Sequence, residues 1–181
     1  MVDRKKIMKA VYQLLEAIGE DTNRQGLKDT PERVARMYEE LASGYDDSVE
    51  KHLATRFKVA NSDIIVEKNI PFSSLCEHHL MPFFGRVSIA YIPNDEVVGL
   101  SKLARCVEVF ARRLQIQERM TNEIAESIYK ELNARGVFVF VEAEHTCMTS
   151  RGVNKIGTKT VTIKQIGDID KKEAMQLIMV K

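Results

Sequence analysis

A polar segment near the middle of the chain separates two apolar runs and carries a cysteine and two histidines: Pro71-Phe72-Ser73-Ser74-Leu75-Cys76-Glu77-His78-His79-Leu80-Met81-Pro82-Phe83. The runs on either side, 64–66 and 83–91, have the composition of strands. In a turn between them, Cys76 and His79 can converge on one point. The adjacent His78 and His79 would instead diverge if the backbone were extended.

A second segment of the same chemistry is His145-Thr146-Cys147, which follows a predicted strand over 137–143. Thiolate sulfur and imidazole nitrogen are ligands that zinc prefers. The pattern favours Cys76, His79 and Cys147 as three ligands that leave a fourth position open for water, with His78 and His145 unbound nearby to move protons. Two alternatives stay open: a Cys76–Cys147 disulfide, and a structural zinc closed by a fourth ligand.

The rest of the chain alternates between helical and strand periodicity in blocks. Helices are predicted at 3–19, 30–42, 48–57, 101–114, about 118–135 and in the tail from Asp170. Strands are predicted at 64–66, 83–91, 97–100, 137–143 and 158–166. Helices, then strands, then two helices, then strands predict an α+β fold with an antiparallel sheet.

Composition limits the class of protein. The chain of 181 residues is 44% hydrophobic and 29% charged, which suits one domain with a sizeable core. A formal net charge of +1 is too small to indicate that the protein binds nucleic acid or an anionic membrane. The charged start of the chain, residues 1–9, lacks the apolar run of a signal peptide, so we expect a cytoplasmic protein.

A cationic group begins the predicted helix at Ser101, which we interpret as its N-cap. Lys102 and Arg105 follow within one turn, and helix N-termini favour anions. Arg151 follows the second cysteine segment. The alternative is that these are solvated surface charges. Two residues are predicted to have no role in a site: Cys106 in the core and His52 on the surface.

Five stretches together resemble GTP cyclohydrolase I. Besides 71–83 and 142–148, they are Val98-Gly99-Leu100-Ser101-Lys102-Leu103-Ala104-Arg105, Gln115-Ile116-Gln117-Glu118-Arg119 and Arg151-Gly152-Val153. The resemblance implies the T-fold, an antiparallel four-stranded sheet with two helices on one face, over 61–181, after an N-terminal helical region over 1–60. It also implies a homo-oligomer, typically a decamer, with active sites between subunits.

The resemblance also implies roles for residues of this chain. Zn²⁺ would be held by Cys76, His79 and Cys147, with His78, His145 and Ser101 as catalytic residues. Substrate-binding residues would be Glu118 and Gln117 for guanine and, for the triphosphate, Lys102, Arg105, Arg151 and Arg33. The implied reaction converts GTP and water to 7,8-dihydroneopterin triphosphate and formate, at the entry to folate or tetrahydrobiopterin synthesis.

Two other functions compete with this interpretation. A T-fold nitrile reductase of queuosine synthesis would use a cysteine nucleophile and NADPH without catalytic zinc. A non-enzymatic zinc- or nucleotide-binding oligomer would need a closed metal shell and would return GTP unchanged. The two Cys/His segments and the Ser101-Lys102 corner favour the cyclohydrolase.

Overall fold

The computed structural model describes residues 2–60 and 63–180. The helices are α1 Arg4–Ala17, α2 Thr30–Leu41, α3 Val49–Leu53, α4 Leu100–Ala111, α5 Gln117–Glu131, α6 Thr146–Thr149 and α7 Lys171–Met179. The strands are β1 Arg56–Lys58, β2 Ile65–Cys76, β3 Pro82–Ile92, β4 Glu96–Val98, β5 Leu114–Gln115, β6 Gly136–His145 and β7 Thr160–Gly167. A short 3₁₀ turn, Ser43–Asp46, follows α2.

The main sheet has the strand order β5-β2-β3-β6-β7. Strands β2, β3, β6 and β7 are antiparallel neighbours, and the short β5 adds a parallel pair beside Cys76. A separate two-stranded sheet joins β1 to β4. The predicted α+β class with a four-stranded antiparallel sheet is confirmed, with β5 as an addition.

One face of the sheet carries α4 and α5, as the T-fold expectation requires. Their apolar residues recur at helical spacing, and Leu103, Val107, Met120, Ile124 and Ile128 are fully buried. They pack with strand residues of the same face in the main core. Each such side chain contributes about 1.5–3 kcal/mol to stability, so this layer holds the two helices to the sheet.

The opposite face is covered in part by α7. Its Ala174 and Ile178 form a second apolar cluster with Ala90 and Phe138 of the sheet. The helix begins where predicted, because the Asp170 side chain accepts a hydrogen bond from the Glu173 amide as an N-cap.

The three N-terminal helices, α1 to α3, differ in what they pack against. α1 and α2 pack against each other, and an ion pair joins Arg4 to Glu32. α3 packs on α4 and α5 and contributes Val49 and Leu53 to the main core. The division between 1–60 and 61–181 stays a prediction, and it falls at the edge of the undescribed residues 61 and 62.

The strand pairing gives the sheet two ends. At the cysteine end, Leu75 of β2 pairs with Pro82, and Phe83 of β3 pairs with His145. At the far end, Ile65 pairs with Tyr91, and Ile92 pairs with Gly136. The predicted site residues are divided between these two ends.

Several local predictions were wrong. The helix predicted over 48–57 ends at Leu53, and Arg56–Lys58 form strand β1 instead. The strand predicted over 97–100 ends at Val98. Helix α4 begins at Leu100 with Gly99 as its N-cap, so Ser101 lies in the first turn and does not cap the helix. β2 extends to Cys76 rather than ending at Val66. Its register shifts between Glu67 and Ile70, where Asn69 adopts a positive φ of 59°, and this bulge hides the alternation of the strand.

Candidate functional site

The turn at the cysteine end brings Cys76 and His79 together. The Cys76 amide donates to the Met81 carbonyl over 2.8 Å, and the Leu80 amide donates to the Cys76 carbonyl over 2.9 Å. Leu80 adopts a positive φ of 54°, which is costly for a residue with a branched side chain. The result is a tight connection in which Cys76 Sγ lies 3.7 Å from His79 Nδ1.

Cys147 reaches the same point from the other segment. It lies in α6, directly after β6, whose last residue His145 pairs with Phe83 at the start of β3. The ligand atoms of Cys76, His79 and Cys147 all lie within 4.8 Å of one another. The predicted set of three therefore converges in space.

The donor set fits a divalent metal ion. All three cysteines of the chain are free thiols, so Cys76 and Cys147 are not joined by a disulfide. Burial and the neighbouring Cys76 raise the pKa of Cys147. A cation held between the two sulfurs would act in the opposite direction on Cys147 and favour its thiolate. Two sulfurs and an imidazole nitrogen are ligands typical of zinc.

The imidazole of His78 lies beside this group but is open to solvent. Its side chain is 64% exposed, and its Nδ1 is 4.0 Å from Cys76 Sγ. Its ring crosses that of His79 at 79°, with centroids 6.2 Å apart. The turn thus directs two neighbouring imidazoles differently, and His78 remains accessible to a small molecule.

His145 is held more firmly. Its ring stacks on Phe83 with centroids 4.6 Å apart and an angle of 7°, and its Nε2 lies 2.8 Å from Gln117 Oε1. Burial lowers the pKa of His145, while the negative charge of Glu118 acts in the opposite direction. Gln117 itself is 1% exposed, whereas Glu118 next to it is exposed at the start of α5.

The predicted cationic residues separate into two groups. Arg151 lies close enough to Cys147 for its charge to offset part of the rise in the pKa of that thiol. Ser101, Lys102 and Arg105 lie in the first half of α4, which runs from the far end of the sheet toward β5 at the cysteine end. A helix of this length rises about 18 Å, so Ser101 and Lys102 lie roughly that far along the axis from the end of α4 that leads to the cysteine cluster, and Arg105 lies about half as far.

Arg33 is in the first half of α2, where it forms an exposed ion pair with Asp29 at 3.3 Å.

The two residues predicted to lie outside the site have different outcomes. Cys106 is fully buried in the core, as predicted, and burial raises the pKa of its thiol to about 12. His52 is only 8% exposed and lies 2.6 Å from Asp47, so the prediction that it is a surface residue was wrong.

Sequence reasoning missed a polar network behind the turn. Arg119 Nη2 donates to Glu77 Oε2 over 2.6 Å, and Arg119 Nε donates to Gln115 Oε1 over 3.0 Å. The Glu77 amide donates to the Gln115 carbonyl over 3.0 Å. Glu77 lies in the stretch 71–83 and Arg119 in the stretch 115–119, and both stretches carry the family resemblance. Their presence there was the one sequence signal that could have indicated a role for these two residues. Only the fold reveals that they contact each other.

Over residues 2–60 and 63–180, none of the helices combines the length and apolar character needed to span a bilayer.

Comparison with known proteins gives consistent results. The family model described as GTP cyclohydrolase I matches residues 7–181. GTP cyclohydrolase 1 of Clostridium perfringens (strain 13 / Type A) is 55% identical over 176 residues, which cover 97% of this chain and 95% of that protein. GTP cyclohydrolase 1 of Clostridium kluyveri (strain ATCC 8527 / DSM 555 / NBRC 12016 / NCIMB 10680 / K1) is 57% identical over 166 residues, 92% of this chain and 90% of that protein.

Among solved structures, the archaeosine synthase QueF-Like in the apo form aligns with a TM-score of 0.49 and 18% identity, over 61% of this chain and 100% of that one. The family match extends over nearly the whole chain, and the relatives share more than half of their residues with it. The chain belongs to the GTP cyclohydrolase I family.

Proposed function

We propose that the chain converts GTP and water to 7,8-dihydroneopterin triphosphate and formate at a zinc site formed by Cys76, His79 and Cys147. The observation that carries the proposal is the convergence of these three ligand atoms within 4.8 Å, with two further histidines beside them. A structural zinc would need a fourth protein ligand. Among the described residues, the metal-binding group contains three.

When bound there, zinc would act as a Lewis acid and lower the pKa of water toward about 7. His78 protonates N7 of the purine, which makes C8 electrophilic. Water adds at C8, the bond from C8 to N9 breaks, and a formamide results. A second water hydrolyses the formamide and releases formate, with His145 carrying the proton. The exposure of His78 and the half-buried position of His145 support these two roles.

The remaining steps rearrange the sugar. The ribose ring opens, undergoes an Amadori-type rearrangement and closes on the pyrimidine amine with loss of water. Ser101 and His145 exchange the sugar protons. Net consumption is therefore one water for each GTP, and each GTP gives one formate.

Substrate recognition has two parts. The Glu118 carboxylate accepts hydrogen bonds from N1–H and the 2-amino group of guanine, and its exposed position beside His145 supports this role. Lys102, Arg105, Arg151 and Arg33 bind the triphosphate. Gln117, predicted with Glu118 as a guanine contact, is buried, and its side chain contacts His145.

The active site is completed by a second copy of the chain, within a homodecamer. The position of Lys102 and Arg105 in the first half of α4 supports this proposal, because that half lies toward the far end of the sheet and the cysteine cluster lies at the other end. In an oligomer, the far end of one subunit would lie beside the cysteine end of another.

The test is incubation of purified protein with GTP, following formate release and pterin fluorescence with and without a chelator. We expect both products in equal amounts, loss of both on metal removal, and recovery when zinc is restored. GTP returned unchanged by the zinc-loaded protein would overturn the proposal.

A further inference from the structure

We propose that Gln117 is a positioning residue, which fixes the ring nitrogen of His145 that carries its proton. The inference rests on the proposed function for the catalytic part of His145, but its structural basis does not depend on it. Gln117 is 1% exposed, and each polar atom of its side chain has a partner in the protein.

The orientation of the Gln117 amide is set by the strands behind it. Its Nε2 lies 3.2 Å from the carbonyl oxygen of Val141 in β6 and 3.1 Å from that of Thr160 in β7. Carbonyl oxygens only accept hydrogen bonds, so the amide nitrogen must face them. The reverse orientation would place Oε1 against two other oxygens in a buried site.

Two threonines complete the same pattern. Gln117 Nε2 also lies 3.0 Å from Thr162 Oγ1, and Thr162 Oγ1 lies 2.6 Å from Thr121 Oγ1. Thr121 Oγ1 donates to the Gln117 carbonyl over 2.7 Å, since that oxygen can only accept. Thr162 therefore donates to Thr121, and it can still accept from the Gln117 amide. The two protons of that amide are shared among three acceptors, the Val141 and Thr160 carbonyls and the Thr162 hydroxyl.

The consequence falls on His145. Gln117 Oε1 is the atom left to face His145 Nε2 at 2.8 Å, and an amide oxygen can only accept. His145 must then donate from Nε2, which in the neutral imidazole leaves the lone pair on Nδ1. The Phe83 ring, stacked at 7°, restricts the plane of the imidazole. Gln117 thus presents Nδ1 as the nitrogen available to the reaction.

The experiment compares the wild-type protein with Gln117→Met, which keeps the volume of the side chain and removes the acceptor. The matched control is Gln115→Met, because Gln115 is also a buried glutamine, 2% exposed, and its amide contacts Phe110, Glu123 and Arg119 instead of His145. Protein labelled with ¹⁵N in the histidine rings is examined by magic-angle-spinning NMR, which reads the tautomer whatever the particle size. Signals of His145 are identified by their loss in His145→Asn.

We expect wild type and Gln115→Met to show His145 protonated at Nε2 alone, and Gln117→Met to show a mixture of tautomers. In Gln117→Met, kcat should fall by about tenfold to a hundredfold, while KM for GTP and zinc content change by less than about twofold. Wild-type protein in which His145 is protonated at Nδ1 alone would overturn the proposal, even if Gln117→Met did not fold. So would a Gln117→Met protein that keeps the Nε2–H tautomer, or that loses it without a change in kcat.

Failure of the proposed function would be visible separately. It would appear as the absence of formate and pterin in the wild-type assay, whereas the NMR spectrum reports the tautomer without any turnover.

Discussion

Glu77 and Arg119 connect the turn of the metal-ligand candidates to the helix of the guanine-binding candidate, with Glu77 Oε2 2.6 Å from Arg119 Nη2. Glu77 follows Cys76 directly, and Arg119 follows Glu118. The guanidinium holds the pKa of Glu77 below its usual range. This pair therefore fixes the distance between two parts of the site that lie far apart in the sequence.

Glu77→Gln should weaken zinc binding by about tenfold, because the turn loses the charge-assisted bond that orients it. The affinity is measured by competition with a chromogenic chelator. Glu108→Gln is the control, since Glu108 is paired with Arg112 at 2.8 Å on α4 and does not touch the turn. If Glu77→Gln binds zinc as tightly as Glu108→Gln and the wild-type protein do, the Glu77–Arg119 pair does not support the metal site.

Cys147→Ser should lose zinc and activity together, because a hydroxyl does not replace a thiolate as a ligand. Cys106→Ala provides the comparison: Cys106 is a core thiol with a pKa of about 12, and its variant should keep the metal. Zinc per chain is measured by mass spectrometry of the metal after dialysis. A metal-replete, active Cys147→Ser protein would contradict the ligand assignment.

Glu118→Gln should raise KM for GTP by tenfold or more and leave the zinc content unchanged, since the amide replaces one acceptor by a donor facing guanine. The wild-type preference for GTP over inosine triphosphate, which lacks the 2-amino group, should also shrink. Glu126→Gln, exposed on the same helix, is the control. An unchanged ratio of kcat/KM for the two nucleotides would remove Glu118 from base recognition.

Lys102→Ala and Cys147→Ser should each be inactive alone, but a mixture that exchanges subunits should recover part of the activity. The reason is that the two residues lie at opposite ends of the sheet, so a hybrid oligomer contains sites in which both are intact. Formate release is measured after unfolding and refolding the mixture, with each variant refolded separately as the control. If the mixture stays as inactive as its parents, the site lies within one subunit.

Asp47→Asn should destabilise the protein by about 1 kcal/mol near neutral pH. The reason is that the hydrogen bond from His52 would then end on a neutral amide oxygen instead of on the Asp47 carboxylate. His52 lowers the pKa of Asp47, so the stabilisation is present above the unfolded pKa, near 3.8, and is lost as the pH falls through the lower folded value. Urea unfolding from pH 7 to 3 should show the two proteins converging below about pH 4. Asp63→Asn is the control, because Asp63 is an exposed aspartate. A difference in the free energy of unfolding between wild type and Asp47→Asn that stays constant from pH 7 to 3 would contradict the link between Asp47 ionisation and stability.

The sequence by itself determined the residue chemistry and most of the elements. Cysteine and histidine at short spacing indicated the metal group, and the periodicity of apolar residues indicated the helices and most strands, because both signals are local. The bulge at Asn69 and the N-cap at Gly99 were not recognised, since each depends on backbone geometry that many residues permit.

Only the tertiary structure decided how these parts meet. The direction of α4 along the sheet separates Lys102 and Arg105 from Cys76 within one chain. The pairing of β6 with β7 buries Gln117 against two carbonyl oxygens and His145. Such contacts join residues distant in sequence, and their geometry follows from strand register and helix packing, which no short-range pattern records.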